Sequence, residues 1–208
     1  MYKTIKFWKL RTSKTELIDI TKAWLALSLA FTFAFSGMSI LSGRFSLATI
    51  FSPSFLIFFI VSLFTAGIGF LLHELGHKFV AQKYGCMAEF RAFDQMLYLA
   101  VGLAVFVGFI FAAPGAVMIA GNVTRRENGI ISATGPLVNY VLGIIFLGLG
   151  LAYPAFGNIF LIGFRINLWL GLFNMIPFGN FDGIKIFHWN KIVWALMVGF
   201  GVFFIFFL

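Results

Sequence analysis

Five consecutive residues, His73-Glu74-Leu75-Gly76-His77, have the types and spacing of a metal-dependent hydrolase motif. On a helix, side chains four residues apart lie on the same face, so both imidazoles can reach one metal ion. The Glu74 carboxylate would then lie beside the water that the metal activates, where it can take a proton as that water attacks a carbonyl carbon. Single histidines are common as hydrogen-bonded polar residues, but this chain has only three His and seven Asp and Glu together, so composition alone rarely produces the pattern. The sequence predicts a zinc site for hydrolysis.

Two histidines do not complete such a site, because catalytic zinc usually has three protein ligands and one open position. The candidates for the third ligand are Asp182, His188, Glu89 and Asp94. Asp182 lies in NMIPFGNFDG, residues 174–183, after an apolar stretch and before a turn glycine. An Asp-Gly pair is also common in ordinary turns. From local sequence alone, Asp182 and His188 are about equal candidates.

The composition is that of a membrane protein. Of the 208 residues, 61% are hydrophobic and 11% are charged, whereas a soluble domain has about 25% charged residues. A water-soluble protein of this size could not bury so much apolar surface, but a lipid bilayer can. The net charge of +8 does not indicate nucleic acid as a partner, because the basic residues flank apolar runs, which is the pattern that orients membrane helices. We expect a single transmembrane domain over residues 1–208.

The motif lies late in the second of several predicted helices. A basic segment, residues 1–22, suits the membrane surface, and the capping-box spacing of Ser13 and Glu16 predicts a helix start near Lys14 that leads into a first span at about residues 23–41. A second helix is predicted over about residues 55–84, because Pro53 suits a first turn and Gly85 suits a C-terminal stop. Pro114 and Gly115 break a third apolar stretch. The stretch and the later spans cover about residues 95–121, 130–152, 158–176 and 192–208.

The two sequence motifs together resemble a known family. HELGH late in one transmembrane helix, followed about a hundred residues later by Asn-x-x-Pro-x-x-x-x-Asp-Gly from Asn174, resembles the site-2 protease family of intramembrane metalloproteases. GPLVN at residues 135–139 also resembles that family, and APGAV at residues 113–117 resembles its archaeal branch. Phe181 stands where the family more usually has Leu. The resemblance covers about residues 53–183, which we expect to form the catalytic core.

The resemblance implies a zinc cofactor and a role for each matched residue. It implies His73, His77 and Asp182 as the zinc ligands and Glu74 as the general base. It implies Asn174 as a polar group near the scissile carbonyl. Some family members carry PDZ or CBS modules, and a chain of 208 residues is too short for them, so we expect neither.

Topology gives a separate test of the ligand assignment. The end of the second helix and Asp182 must lie on the same side of the membrane, which requires the stretch at residues 95–121 to enter and return rather than cross. With this re-entry, every Lys and Arg except Arg44 and Arg165 lies on the cytoplasmic side; full crossing would move four of them outside, Arg125, Arg126, Lys185 and Lys191. The bias of positive charge toward the cytoplasm therefore favours re-entry. It predicts five spans in the cell membrane, a cytoplasmic N-terminus and an active site toward the cytoplasm.

The re-entrant stretch also suggests how substrate binds. Non-helical backbone at membrane depth persists only where protein or a wet cavity surrounds it. An extended segment beside the zinc would offer N–H and C=O groups to an unwound substrate, which could pair with it as an added strand. The plain alternative is a short loop packed between helices. The predicted substrate-binding residues are Ala116, Val117, Met118, Ile119 and Ala120.

The combined prediction is an all-α, multi-pass transmembrane bundle that acts as an intramembrane zinc metalloprotease. Its partners would be the lipid bilayer and transmembrane protein substrates, cut in or near their transmembrane segments. One alternative is a membrane metal transporter or sensor with the same ligands. Another is a catalytically silent homologue that binds transmembrane segments. Glu74 argues against both, since neither transport nor silent binding needs a base beside the water.

Overall fold

The computed structural model describes residues 4–7, 10–110 and 114–208, and most of them are helical. In this described part, four helical segments are long and apolar enough to cross a membrane: Lys14–Ser36, Pro53–Lys83, Arg125–Ala152 and Pro154–Asn174. The predicted class, a helical membrane protein with several spans, is confirmed. The predicted total of five spans stays a prediction, because the last predicted span coincides with a helix of only 17 residues, Lys191–Phe207.

The elements follow one another in a mostly helical order. The helices are α1 (Lys14–Ser36), α2 (Leu47–Ile50), α3 (Pro53–Ser62), α4 (Ile68–Lys83), α5 (Asp94–Val107), α6 (Arg125–Ala152), α7 (Gly157–Asn174), α8 (Asp182–Trp189) and α9 (Lys191–Phe207). A π-helical turn, Leu63–Gly67, joins α3 to α4, and a 3₁₀ turn, Pro154–Phe156, precedes α7. The strands are β1 (Thr4–Phe7), β2 (Leu10–Ser13), β3 (Met87–Ala92) and β4 (Gly115–Ala120).

The chain divides into two compact units, and the first contains Met1–Ile68 and Phe90–Ala116. Its α1 packs against α3 and α5. The helix begins at Lys14 as predicted, because the Ser13 hydroxyl accepts a hydrogen bond from the Glu16 N–H at 3.2 Å. It ends before Gly37, whose φ of 64° caps it, so the predicted extension to residue 41 is wrong. The core of this unit contains Ala30, Phe33, Met38, Phe55 and Ala104.

The second unit contains Gly69–Glu89 and Val117–Leu208. Its α6 packs against α7 and α8, and α7 packs against α9, around the buried side chains of Tyr140, Phe164 and Leu168. The second predicted helix ends at Lys83, and Gly85 follows with a φ of 82°, which confirms this glycine as the stop signal.

Two pairs of short strands interrupt the helices. The predicted break in the third apolar stretch is confirmed, because α5 ends at Val107 and β4 begins at Gly115; Ala113 lies outside the described residues. The extended segment predicted at residues 116–120 is the strand β4, and it pairs with β3. Membrane re-entry of this stretch stays a prediction. The antiparallel pair of β1 and β2 was not predicted, because residues 1–22 carry no strand alternation that stands out from their charges.

Candidate metal centre

His73, His77 and Asp182 come together in the second unit as a buried group that could hold a metal ion. One turn of α4 separates the two histidines, and the first residue of α8 is Asp182. The Asp182 Oδ2 atom lies 3.2 Å from the His73 Nε2 atom and 3.0 Å from the His77 Nε2 atom. Donor atoms around a tetrahedral zinc lie roughly 3.3 Å apart, since each is about 2.0–2.1 Å from the metal. The spacing and the donor types therefore fit zinc.

Gly135 of α6 provides the space that such a metal needs. A Cβ atom at this position would lie 2.5 Å from the His73 Nε2 atom and closer still to the His77 Nε2 atom. No carbon atom can approach both nitrogens so closely without displacing them. The missing side chain at Gly135 thus leaves room beside the two nitrogens that face Asp182.

Asp182 reaches the histidines because the residue after it is glycine. A Cβ atom at Gly183 would overlap the backbone carbonyl of Met175, so the first turn of α8 can approach the end of α7 closely. Asp182 and Gly183 open a helix here and do not form an ordinary turn. Burial alone would raise the pKa of Asp182, but the charge of His77 and the hydrogen bonds to both imidazoles hold that pKa well below its usual value. A deprotonated carboxylate is the form that binds a metal.

Hydrogen bonds to the far side of each imidazole set its tautomer. The His77 Nδ1 atom lies 2.8 Å from the Ile131 carbonyl oxygen, which can only accept, so Nδ1 carries the proton. The His73 Nδ1 atom lies 2.6 Å from the Asn139 Oδ1 atom. In both rings it is therefore the Nε2 atom that faces Asp182: when protonated it donates to that carboxylate, and a metal ion would replace this proton and bind the freed lone pair.

The Asn139 amide is itself held by a buried chain of hydrogen bonds. Its Nδ2 atom donates to the Gly69 carbonyl oxygen at 3.0 Å and to the Asn167 Oδ1 atom at 3.1 Å, which turns the Asn139 oxygen toward His73. Asn167 in turn donates to the Gly163 carbonyl oxygen at 2.9 Å. Both asparagine side chains are 0% exposed. The chain therefore fixes the direction of the hydrogen bond on which the orientation of His73 depends.

We expect Asn139→Leu to lower zinc affinity by about 10- to 100-fold, the usual cost of losing such a supporting partner. Leu has the same branching and number of side-chain heavy atoms as Asn but offers His73 Nδ1–H no acceptor. Asn139→Asp keeps an acceptor oxygen and should retain more zinc than Asn139→Leu, although it disturbs the same buried contacts. Competition with a zinc chelator measures both affinities. Equal zinc affinity in the two variants would mean that Asn139 acts only through packing.

Glu74 contacts the strand that follows α5. Its Oε2 atom accepts a hydrogen bond from the Val117 N–H at 3.2 Å. The backbone of β4 therefore holds the carboxylate that the sequence predicts as general base.

The remaining predicted site residues lie outside the group. Asn174 donates from its Nδ2 atom to the Leu170 carbonyl oxygen of its own helix at 2.9 Å. Asp94 pairs with Lys22 at 2.7 Å in the first unit. His188 lies near the end of α8 and is exposed. Among the described residues, the metal-holding group includes neither Glu89, Asp94 nor His188.

The structure adds three supporting residues that the sequence did not single out for this role: Ile131, Asn139 and Asn167. Asn139 had a signal, since it ends the GPLVN segment at residues 135–139. Every residue type has a backbone carbonyl, so the role of Ile131 could not be read from its identity. Asn167 is a polar residue in a largely apolar helix, and the sequence does not indicate its hydrogen-bond partner.

Comparison with known proteins finds relatives that carry the name of one enzyme class. A protein of Methanocaldococcus jannaschii, provisionally named a zinc metalloprotease, is 40% identical over 191 residues, which are 90% of this chain and 91% of that protein. A second protein of that organism, named a zinc metalloprotease, is 30% identical over 62% of this chain and 34% of its own length. A Mycolicibacterium smegmatis protein, again provisionally named a zinc metalloprotease, is 32% identical over 54% of this chain and 50% of its own length. No family model and no solved structure matches the chain.

Proposed function

The chain belongs to a family of zinc metalloproteases, and on that premise we propose that it is an intramembrane protease of the site-2 type. It would hydrolyse peptide bonds in or beside the transmembrane segments of other membrane proteins. One observation carries the proposal: His73 and His77 lie on the 31-residue apolar helical segment Pro53–Lys83, so the metal centre is built into a candidate membrane span. A protease with a water-exposed substrate would gain nothing from this placement.

Zinc is the cofactor, since the relatives are named as zinc metalloproteases and the His-His-Asp group could bind a metal ion. In the proposed mechanism His73, His77 and Asp182 hold it. Zinc bound there supplies a Lewis acid that lowers the pKa of a water molecule and polarises the scissile carbonyl. Glu74 takes a proton from the attacking water and delivers it to the leaving amine. The Asn174 amide donates a hydrogen bond to the carbonyl oxygen once it turns from Leu170.

The strand β4 is the proposed binding site for unwound substrate, through Ala116, Val117, Met118, Ile119 and Ala120. The hydrogen bond from the Val117 N–H to Glu74 supports this proposal, because it means that one edge of β4 faces the proposed base. Backbone N–H groups of alternate residues point to the same edge of a strand. The Ile119 N–H therefore points to the edge that carries Val117, and a substrate strand added there would run past Glu74.

The length of α5 supports re-entry of the stretch at residues 95–121. Its 14 residues extend for about 21 Å, whereas the hydrocarbon core is about 30 Å thick. A helix of this length followed by a strand suits a segment that enters the membrane and returns. With re-entry, the charge distribution supports a cytoplasmic N-terminus and a metal centre toward the cytoplasm.

A reconstituted cleavage assay tests the proposal. The zinc-loaded protein is placed in liposomes with a single-span test protein that carries soluble flanks on both sides, and mass spectrometry locates the cut. We expect cleavage within the transmembrane segment or at its border, loss of cleavage on chelation and recovery on addition of zinc. A matched test protein with the same flanks and a longer, all-leucine span, which resists unwinding, should be cut much more slowly.

Cleavage only in the soluble flanks would contradict the intramembrane proposal and leave a membrane-anchored zinc protease. Zinc movement across the liposome membrane without any cleavage would favour the transporter alternative.

A further inference from the structure

A cleft lined by basic and amide side chains lies between the first turn of α6 and the middle and end of α8. We call it the basic cleft; it has a volume of about 480 Å³ and is lined by Arg125, Asn128, Lys185 and His188. All four side chains can donate hydrogen bonds, and none of them is acidic. The proposed proteolytic mechanism gives none of the four a role, and among them Lys185 is the residue that also faces a proposed metal ligand, Asp182.

The walls of the basic cleft are held in place by close packing. Gly129 of α6 faces Trp189 of α8, and a Cβ atom at Gly129 would overlap the indole side chain. The first turn of α6 is fixed by a capping box in which the Glu127 carboxylate accepts hydrogen bonds from the Thr124 N–H and hydroxyl, both at 2.8 Å. Glu127, the acid nearest to Arg125 in sequence, is thus engaged by the helix cap. On the other wall Lys185 faces the Asp182 carboxylate at 3.6 Å, so the positive charge of the cleft is chiefly that of Arg125.

The position of the basic cleft relative to the candidate span indicates which kind of anion could bind there. Arg125 is the first residue of the candidate span Arg125–Ala152, so in the proposed membrane topology the cleft would lie at the end of a membrane helix, beside the hydrocarbon core. Lipid phosphate groups occupy that level. Arginine binds phosphate oxygens through two parallel N–H groups, while lysine adds a point charge, and basic pockets between membrane helices bind anionic headgroups.

We propose that the basic cleft binds the phosphate group of an anionic phospholipid such as phosphatidylglycerol. Arg125 would pair with the phosphate, Lys185 would add its charge while it also faces Asp182, and Asn128 and His188 would donate hydrogen bonds to the other phosphate oxygens or to the glycerol hydroxyls. Phosphatidylcholine carries the same phosphate but adds a choline cation, which the two basic side chains repel. The site therefore selects headgroups by net charge.

Lys185 also contacts the metal centre, and this decides which residues the test can use. Its Nζ atom lies 3.6 Å from the Asp182 Oδ1 atom, so a substitution of Lys185 would disturb a proposed zinc ligand. Arg125 and His188 have no such contact among the described residues. Arg126 offers a matched control, because it lies on the same exposed turn as Arg125 and has the same charge but does not line the cleft.

Native mass spectrometry of the zinc-loaded protein, released from a neutral detergent, measures lipid retention without any need for proteolysis. The protein is offered equal amounts of phosphatidylglycerol and phosphatidylcholine. We expect wild type to retain phosphatidylglycerol preferentially, and Arg125→Gln to lower that retention roughly fivefold, the effect of one basic residue at a membrane surface. His188→Gln should lower it less, and Arg126→Gln should leave it unchanged. Zinc content, measured on each variant, reports whether the fold is intact.

A second arm separates a lipid headgroup from free phosphate. Millimolar inorganic phosphate should displace little phosphatidylglycerol, because a free ion lacks the acyl chains that keep the lipid in the same detergent micelle as the cleft. Full displacement by inorganic phosphate would overturn the lipid assignment. Equal losses in Arg125→Gln and Arg126→Gln, with zinc retained, would mean that lipid responds to general surface charge and would overturn the site. Absence of any preference for phosphatidylglycerol in wild type would do the same.

Discussion

Glu74→Gln should lower the rate of peptide cleavage by about 10²- to 10⁴-fold, which is the usual contribution of a positioned general base. Gln has nearly the same shape as Glu and keeps an oxygen that can accept the Val117 N–H, so the contact with β4 can persist. It cannot take a proton from water. Because His73, His77 and Asp182 are unchanged, the variant should hold as much zinc as wild type. Cleavage of the single-span test protein and elemental analysis of zinc measure the two properties on the same sample.

Glu89→Gln is the control for this experiment, since Glu89 lies on β3 and belongs to no metal-holding group among the described residues. It should keep both zinc and activity. Undiminished cleavage by Glu74→Gln would end the proposed mechanism, and loss of zinc by that variant would make Glu74 a ligand instead of a base.

Gly135→Ala is expected to lose zinc and, with it, activity. The added methyl group would occupy the space beside the Nε2 atoms of His73 and His77. In an ordinary helix the same change is favourable by about 1 kcal/mol, since Ala has the higher helix propensity. A loss of zinc would therefore reflect the lack of room at the metal centre and not a weaker helix. Zinc content after dialysis against a weak chelator measures the effect, and we expect at least a tenfold loss of affinity, by analogy with disturbed metal shells.

Gly148→Ala provides a control on the same helix. A Cβ atom at Gly148 would meet nothing within 4 Å, so this variant should bind zinc normally and unfold at the same temperature or slightly above. If Gly135→Ala also bound zinc normally, the metal would have to lie elsewhere than beside the two imidazoles.

The elements of the fold that depend on local chemistry could be predicted from the sequence. Ser13 starts α1 and Gly85 follows α4 because caps act within one turn of chain. The pairing of His73 with His77 follows from helical spacing. By contrast, the choice of Asp182 over His188 depends on how α8 approaches α7. His188 lies six residues further along α8, roughly 240° around it, and no local pattern says which of these faces is turned inward.

The supporting residues of the metal centre could not be predicted, because their roles depend on how the helices pack in three dimensions. Gly135 is important because it has no Cβ atom. The sequence alone does not show which atoms a Cβ atom at this position would contact. Asn167 is linked to His73 through Asn139, across residues far apart in the chain. Bonds of this kind require the packed helices, and they appear only once the helices have been placed.

The metal centre also has a consequence for the folding of the chain. A zinc ion shared by His73 and Asp182 would join residues 109 positions apart, as a cross-link does. Closing a loop of that length costs an unfolded chain more configurational entropy than closing a short one, although the cost grows only with the logarithm of length. Because the complete ligand set exists only where folding has brought α4 and α8 together, the binding free energy of the ion would stabilise the native state. Bound zinc would thus stabilise the fold of the second unit in addition to its catalytic role.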